Sequence, residues 1–517
     1  MILLFSIIRF RLREIPLERD EGEYAYAGQL LLQGIPPYKL AYNMKLPGTY
    51  VACALLMAVF GQSPAGIHTG LILINAVSVI LIFLLARKLI GPLAGLASAS
   101  SFALLSTSES VLGLAAHATH FVVLAAVAGI LVLLRAMATQ QTRLYFCGGL
   151  LLGAAFVLKQ PGLLFVLFGA LYLIVSEWRG AGDWRRLASR LAIYATGAVL
   201  PFALTCLSLY LSGTFDKMWF WTFSYGRQYA SIRSLSEGWR VFLIASQSVI
   251  GPCLLAWLLG AAGVAAFPWD SRSRKHGIFL IAFLLFSFLA VCPGLYFREH
   301  YFILLLPAVS LFVGLAVSST TDALRRHVRN PLVSAIPVLV LLGALVFSLE
   351  NQDEILFARD PLSVSRAVYG TNPFPEALTI SEYLHQHTKD GARIAVLGSE
   401  PEIYFYSKRH SATGYIYAYP LVEAQAYALD MQQDMAREIE AARPDYMVFV
   451  KVNLSWLPTP GSSTYILDWF RSYARANYEM IGIADEISPN TRFVWGDAVK
   501  TYHTQSESSI QIFKRRD

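Results

Sequence analysis

Apolar runs at 67–86, 92–107, 118–135, 187–211, 240–267, 277–293, 301–318 and 331–349 dominate the first two thirds of this chain. A helix needs about 20 apolar residues to cross the hydrocarbon layer of a membrane. Only helices and closed barrels satisfy their own backbone groups there. A further run at 144–177 is broken in its middle by Lys159-Gln160-Pro161-Gly162. Proline removes a helix donor, and a lysine at mid-membrane is costly, so this run reads as two shorter helices with Lys159 at the turn between them. The pattern predicts a polytopic α-helical membrane protein with ten or eleven transmembrane helices. Composition agrees. Of 517 residues, 55% are hydrophobic and only 15% charged, against about 25% charged in soluble domains. So few charges cannot solvate a surface of this size.

The first ten residues are apolar and are followed at once by Arg11 and Arg13. That is half the length of a span, without the basic start and small-residue cleavage site of a signal peptide. It reads as the outer half of a first transmembrane helix, with a start expected further upstream. Lysine and arginine then set orientation. One set of alternate loops carries Arg87-Lys88, Arg135 with Arg143, Arg179-Arg185-Arg186-Arg190, Arg272-Arg274-Lys275 and Arg325-Arg326-Arg329. These are expected on the cytoplasmic face of the cell (inner) membrane. The other set, 11–66, 107–117, the Lys159 turn, 212–239 and 292–300, together with everything after 350, is expected outside. The net charge of +7 is accounted for by these topogenic loops. No basic stretch interleaves aromatics in the manner of a nucleic-acid surface, so nucleic acid is not an expected partner. Cys53, Cys147, Cys206, Cys253 and Cys292 lie in or beside apolar stretches and form no ligand-like spacing.

Two short segments of the first outer loop must lie on the membrane surface. The stretch 47–60 is apolar but too short to span, and a span there would invert every later loop. Residues 20–33 read as an amphipathic helix with Tyr24, Ala27, Leu30 and Leu31 on one side. From 351 the chain changes character, giving two expected units, 1–350 in the membrane and 351–517 soluble. In the second unit, 393–398 and 446–450 read as buried parallel-type strands with a helix at 430–442 between them. A small α/β domain follows from this, and no Gly-rich phosphate loop opens any of its helices.

Chemistry-bearing residues concentrate in the outer loops. Arg19-Asp20-Glu21-Gly22-Glu23 places three carboxylates within four residues. Asp20 reads as the cap of a helix supported by Glu23 three residues on, and the same carboxylate can serve as a general base. Lys45, Lys159, Arg227 and Arg298 are cations on that same face, and each alone reads as a snorkelling interfacial residue. Together they suit an embedded phosphate held beside a working carboxylate. His117 and His120 are spaced i,i+3 and could offer two imidazoles to a metal. Without a third ligand evident they read as an interfacial pair. Tyr404, Tyr406, Tyr415, Tyr417 and Tyr419 read either as a stacking platform for carbohydrate or as ordinary core and surface residues.

Four motifs in order on the expected outer face give the chain a family resemblance. Asp20-Glu21-Gly22-Glu23-Tyr24-Ala25, Lys45-Leu46-Pro47-Gly48, Lys159-Gln160-Pro161-Gly162 and the aromatic loop from Trp221 to Arg227 resemble the GT-C class of polyprenyl-phosphate-dependent glycosyltransferases. That class includes the protein O-mannosyltransferases and the lipid A aminoarabinose transferases. The resemblance covers roughly residues 1–350. It implies transfer of a sugar from a polyprenyl-phosphate donor to an extracytoplasmic acceptor (lipid, glycan or protein), with inversion. By carry-over Asp20 is the catalytic base and Glu21 a secondary catalytic residue that positions the acceptor. Lys45, Lys159 and Arg227 bind the donor phosphate by the same carry-over, Lys159 and Arg227 foremost, and Arg298 joins them as a further cation of that face. The aminoarabinose transferases hold a metal with a glutamate before the lysine and a histidine in the aromatic loop. Here those positions are Met44 and Ser224, so the resemblance implies no metal of that kind, no cofactor, and a product other than aminoarabinose-modified lipid A. The alternative classes are a transporter or lipid flippase, which would show paired broken helices where only the Pro161 break is clear, and a membrane assembly factor.

Overall fold

The computed structural model describes residues 1–179, 183–270, 274–328, 330–485, 487–488 and 490–516, with nothing stated of the Arg179 side chain. Arg272 and Arg329 of the expected cytoplasmic loops lie outside the described residues. Among those described, seven helices are long and apolar enough to cross a membrane: Pro64–Leu89, Ala118–Thr139, Gln160–Trp178, Trp184–Leu211, Leu235–Trp269, Leu306–His327 and Pro331–Glu350. Shorter apolar helices lie at Pro92–Leu105, Thr142–Leu158 and Gly277–Val291. The chain is a multi-pass membrane protein followed by a sheet-containing region, as its apolar runs require.

The first nine helices are α1 (Ile2–Arg11), α2 (Arg19–Leu32), α3 (Gly48–Phe60), α4 (Pro64–Leu89), α5 (Pro92–Leu105), α6 (Ala118–Thr139), α7 (Thr142–Leu158), α8 (Leu163–Arg179) and α9 (Trp184–Leu211). Their ends follow local chemistry. α4 opens on Ser63, whose hydroxyl accepts from Gly66 N, with Pro64 in the first turn, and it closes on Arg87 and Lys88, where cations complement the helix dipole. The break between α7 and α8 falls at Lys159, as the proline predicts. Two boundaries differ from the sequence reading. The run 240–267 is interrupted at Gly251-Pro252-Cys253. The helix expected from 301 begins at Leu306, after a 3-10 turn over Glu299–Leu304, and it continues to His327 because Arg325, Arg326 and His327 suit a helix C-terminus.

The larger correction concerns α2. It is not amphipathic in place: every residue from Glu21 to Leu30 is buried. One side packs on α3, where a Cβ on Gly28 would meet Met57 and the backbone of Ala54. The other side packs on the C-terminal region. Gly22 lies against the backbone of Glu402, and the Tyr26 ring stacks on Tyr404 with centroids 5.1 Å apart. A polar face read as solvent-facing is therefore covered by residues nearly 400 positions away.

That covering region carries a six-stranded mixed sheet in the order β2-β1-β3-β6-β4-β5. Its strands are β1 (Arg393–Leu397), β2 (His410–Ser411), β3 (Tyr446–Lys451), β4 (Tyr478–Asp485), β5 (Arg492–Trp495) and β6 (Ser509–Arg515). The two apolar strands read from the sequence, β1 and β3, pair in parallel, with Ile394 opposite Tyr446 and Val396 opposite Val448, and β2 joins the other side of β1, also in parallel. β4, β5 and β6 add on in antiparallel fashion. Their mixed composition hides them from a search for continuous apolar runs.

α7 and α9 cross in close backbone contact. A Cβ on Gly149 or Gly153 would run into the carbonyl of Tyr194 or Ala198, and one on Gly197 into the carbonyl of Phe146. Small residues allow such crossings, which rest on packing where lipid supplies no hydrophobic drive. Gly149→Val is expected to cost about 1–3 kcal/mol, seen as a lower thermal midpoint in detergent. Gly343→Ala, with open space around it, should be neutral or slightly stabilising.

Candidate active site

The frame of the first outer loop is set two residues earlier than the sequence suggests. Glu18, not Asp20, caps α2. Its carboxylate accepts from Glu21 N at 2.9 Å while Glu21 Oε2 accepts from Glu18 N at 3.4 Å, a reciprocal capping box. Asp20 is thereby released from capping, and Glu23 follows three residues on along the same helix.

Lys45 lies between those two carboxylates, partly buried at the cavity wall. Its Nζ donates to Asp20 Oδ1 at 2.8 Å and to Glu23 Oε2 at 2.5 Å. Glu23 is satisfied further by Asn43 Nδ2 at 2.9 Å and the Tyr50 hydroxyl at 2.5 Å, and Tyr417 donates to Asp20 Oδ1 at 2.8 Å. Burial opposes charge on both partners. The Asp20 and Glu23 carboxylates nonetheless hold the Lys45 ammonium well above its usual pKa. Lys45 in turn holds the Asp20 carboxyl well below its usual range. Asp20 is therefore an ionised acceptor at neutral pH. Glu18 is the opposite case: burial, then the neighbouring Asp20 and Glu21, push it up to about 8.

The Lys45 and Lys159 motifs are joined by backbone contact. Gly48 has no side chain because the backbone of Val157 and Leu158 occupies that space. Thr49 Oγ1 donates to Leu158 O at 2.6 Å, and Gln160 Nε2 to Met44 O at 2.6 Å. Lys159 sits with its Nζ 4.3 Å from the centre of the Tyr301 ring. Burial, with Lys45 and Arg298 adding to it and Asp20 opposing, brings it down to about 7.

These groups border a cavity of about 610 Å³ lined by Asp20, Lys45, His117, Arg298, His300, Tyr301, Tyr417 and Tyr419 among others. The expected site residues divide. Asp20, Lys45 and Arg298 line the cavity, and Lys159 lies close enough to interact electrostatically with Asp20 and Arg298. Glu21 is turned away: its Oε1 accepts from Ala116 N and faces His68 Nε2 at 2.9 Å. Arg227 is exposed on the short helix Gly226–Ala230 and does not line the cavity; Tyr225 and Tyr229 from the same loop do. Of the five tyrosines, Tyr417 and Tyr419 face the cavity. Tyr404 and Tyr406 accept from Val396 N and Leu17 N, and Tyr415 packs on Tyr42 and Trp221.

Two cavity residues, Glu18 and His300, were not singled out by sequence, and Tyr417 was read only as one of five tyrosines. Glu18 had a signal, a Glu-x-x-Glu box read in the wrong frame. Tyr417 as partner of Asp20, and His300, had none. His300 stacks on His117, with ring centroids 4.0 Å apart and planes 11° from parallel, and its Nε2 lies 3.8 Å from Asp20 Oδ2. Burial lowers His117 to about 4 and His300 well below its ordinary value, so both rings are neutral. The third potential ligand missing beside His117 is thus brought in by folding. Asp20, His117 and His300 present one donor atom each, all within 4.8 Å of one another.

Comparison with known proteins bears on this site. The sequence model of the family described as dolichyl-phosphate-mannose-protein mannosyltransferase matches residues 45–210. Undecaprenyl phosphate-alpha-4-amino-4-deoxy-L-arabinose arabinosyl transferases of Pseudomonas aeruginosa are similar, at 28% identity in strain LESB58 and 31% in strain UCBPP-PA14. Each match covers 52% of this chain and 49% of the relative, so the chain spans about half the length of the curated relatives it matches. Among solved structures, ArnT from Cupriavidus metallidurans bound to undecaprenyl phosphate aligns with TM-score 0.61 at 14% identity, over 99% of this chain and 96% of that one. The archaeal oligosaccharyltransferase AglB from Archaeoglobus fulgidus, in complex with an inhibitory peptide and a dolichol-phosphate, aligns with TM-score 0.54 at 12% identity, over 98% and 74%. At such identities the structural likeness speaks to fold alone. The chain thus has the fold of the GT-C class, and its resemblance to the polyprenyl-phosphate-sugar glycosyltransferases of that class, first drawn from four short motifs, holds in sequence match and fold alike.

Proposed function

We propose that this chain is a membrane glycosyltransferase that moves a sugar from a polyprenyl-phosphate donor to a lipid, glycan or protein acceptor on the outer face of the inner membrane, with inversion. Its membrane unit is 1–350, and 351–517 forms the extracytoplasmic wall of the site. The observation that carries this reading is the ionised Asp20 in a cavity of about 610 Å³ that also exposes Arg298, with Lys159 beside it. The solved neighbours captured with undecaprenyl phosphate and dolichol-phosphate support a lipid phosphate as the ligand.

The residues then take distinct tasks. An acceptor O–H or N–H donates to Asp20, which orients it and takes the proton as the bond to the anomeric carbon forms. The departing phosphate oxygen gains charge, and fixed cations offset it. Arg298 and Lys159 are the cations free for this, Arg298 with the fork that matches phosphate oxygens. Lys45 donates to Asp20 and Glu23, so its task is to keep Asp20 ionised and aimed. Glu21 acts through the backbone at Ala116 and through His68, and Arg227 stands outside the cavity.

Two outcomes follow. With undecaprenyl- and dolichyl-phosphate sugars offered to purified protein, Asp20→Asn should keep donor binding while turnover falls by roughly 10²–10⁴-fold; unchanged turnover would remove Asp20 as the base. The second concerns pH. A bound anion raises the pKa of Lys159, so binding takes up a proton above about 7. Donor affinity should be highest below that pH and weaken by up to about tenfold per unit above it. Lys159→Arg, charged throughout, should bind without this slope. Identical slopes in the two proteins would take Lys159 out of the phosphate site.

A further inference from the structure

We propose that Asp20, His117 and His300 form a binding site for one divalent transition-metal ion of the zinc type, with an open coordination position facing the cavity. The residues come from three separate stretches of chain: the start of α2, the residue preceding α6, and the 3-10 turn before Leu306. The site does not rest on the transferase reading, because its argument is the donor set alone.

Two imidazoles and a carboxylate match the ligand preference of zinc and its neighbours, and three protein ligands with one open position are the form taken by metal sites that do chemistry. The donor atoms lie within 4.8 Å of one another. Donors around a tetrahedral ion with bonds of about 2.0–2.1 Å sit about 3.4 Å apart. Side-chain rotation on the order of an ångström would close the set.

The second observation is His117 itself. It is 1% exposed, and neither ring nitrogen has a hydrogen-bond partner. An unmade hydrogen bond at a buried polar atom costs about 1–3 kcal/mol, so a buried imidazole with both nitrogens unpaired calls for a ligand. Its Nδ1 faces Glu18 Oε1 at 3.6 Å, which leaves Nε2 for the metal and places a carboxylate behind the ring, the usual support of a ligating histidine. Asp20 is divided in the same way. Lys45 and Tyr417 both donate to Oδ1, while Oδ2 looks toward His300 Nε2 at 3.8 Å, beyond hydrogen-bonding range. The Asp20 carboxylate, which Lys45 keeps ionised, supplies the negative charge that a divalent ion needs beside the cations Lys45, Lys159 and Arg298. The ion's open position would meet an anionic or hydroxylic group entering the cavity.

The test uses the full-length protein without a polyhistidine tag, stripped by chelator in detergent and titrated with Co²⁺. One equivalent is expected, with the visible ligand-field bands of a low-coordinate nitrogen–oxygen site, and Zn²⁺ should displace it. His117→Ala and His300→Ala should each weaken binding by at least about tenfold, whereas His120→Ala should not. Pulsed EPR of wild-type protein loaded with Cu²⁺ should show two coordinated imidazoles, a result that does not depend on any variant folding. No bound Co²⁺, binding indifferent to His117→Ala and His300→Ala, or fewer than two imidazoles would overturn the site. No donor sugar enters these measurements, so their outcome is separate from that of the transfer assay.

Discussion

The ammonium of Lys45, held between Asp20 and Glu23, is the interaction on which the rest of the cavity depends. Drawing these charged groups largely out of water is expensive, and such a cluster persists only when geometry and further hydrogen bonds satisfy it. Here Tyr50 and Asn43 complete Glu23, and Tyr417 completes Asp20. Each of these partners fixes a piece of backbone. Tyr50 ties the start of α3, Asn43 ties the loop before it, and Tyr417 ties the C-terminal region. Glu18 capping aims the first turn of α2, and Gly48 lets the Lys45 loop rest on the end of α7. The Asp20 carboxylate is thus kept ionised by Lys45 although burial opposes its charge.

The C-terminal region is part of the site rather than an appendage. Arg19 donates to Ser399 O at 2.6 Å and pairs with Glu400 at 3.2 Å, and the Tyr26 hydroxyl accepts from Ser411 N. Glu402 packs against Gly22, is fully buried and has no hydrogen-bond partner. Burial, with Glu400 beside it, pushes its pKa well above the usual range, so it sits there as a neutral acid. The cavity closes because the helix Glu402–Ser407, between β1 and β2, lies against α2, and Tyr417 and Tyr419 follow β2 in the same stretch before β3.

Two roles for Asp20 can coexist because its oxygens face different partners. Oδ1 belongs to Lys45 and Tyr417, while Oδ2 faces the stacked imidazoles of His117 and His300. The first pair sets the charge of the carboxylate, and the second side is where a reacting group or an ion would meet it. The neighbouring cations differ in the same useful way. Arg298 is charged at any working pH, whereas Lys159 lies near neutrality and can gain a proton when an anion arrives.

The sequence by itself determined the membrane class, the helical break at Lys159 and the parallel pairing of β1 with β3. These follow from local rules, since hydrocarbon thickness, proline geometry and continuous apolar strands are all written over short stretches of chain. It also pointed to Asp20, Lys45, Lys159 and Arg298, because charges beside membrane spans are costly and so conspicuous. Only the tertiary structure decided what those charges do. It moved the helix cap to Glu18, buried α2 on all sides, left Arg227 outside the cavity and assigned Lys45 to the carboxylates. It brought Tyr417 to Asp20 across 397 residues of chain and set His300 against His117. Contacts between distant segments carry no local period or spacing, so they become visible only when the chain has folded.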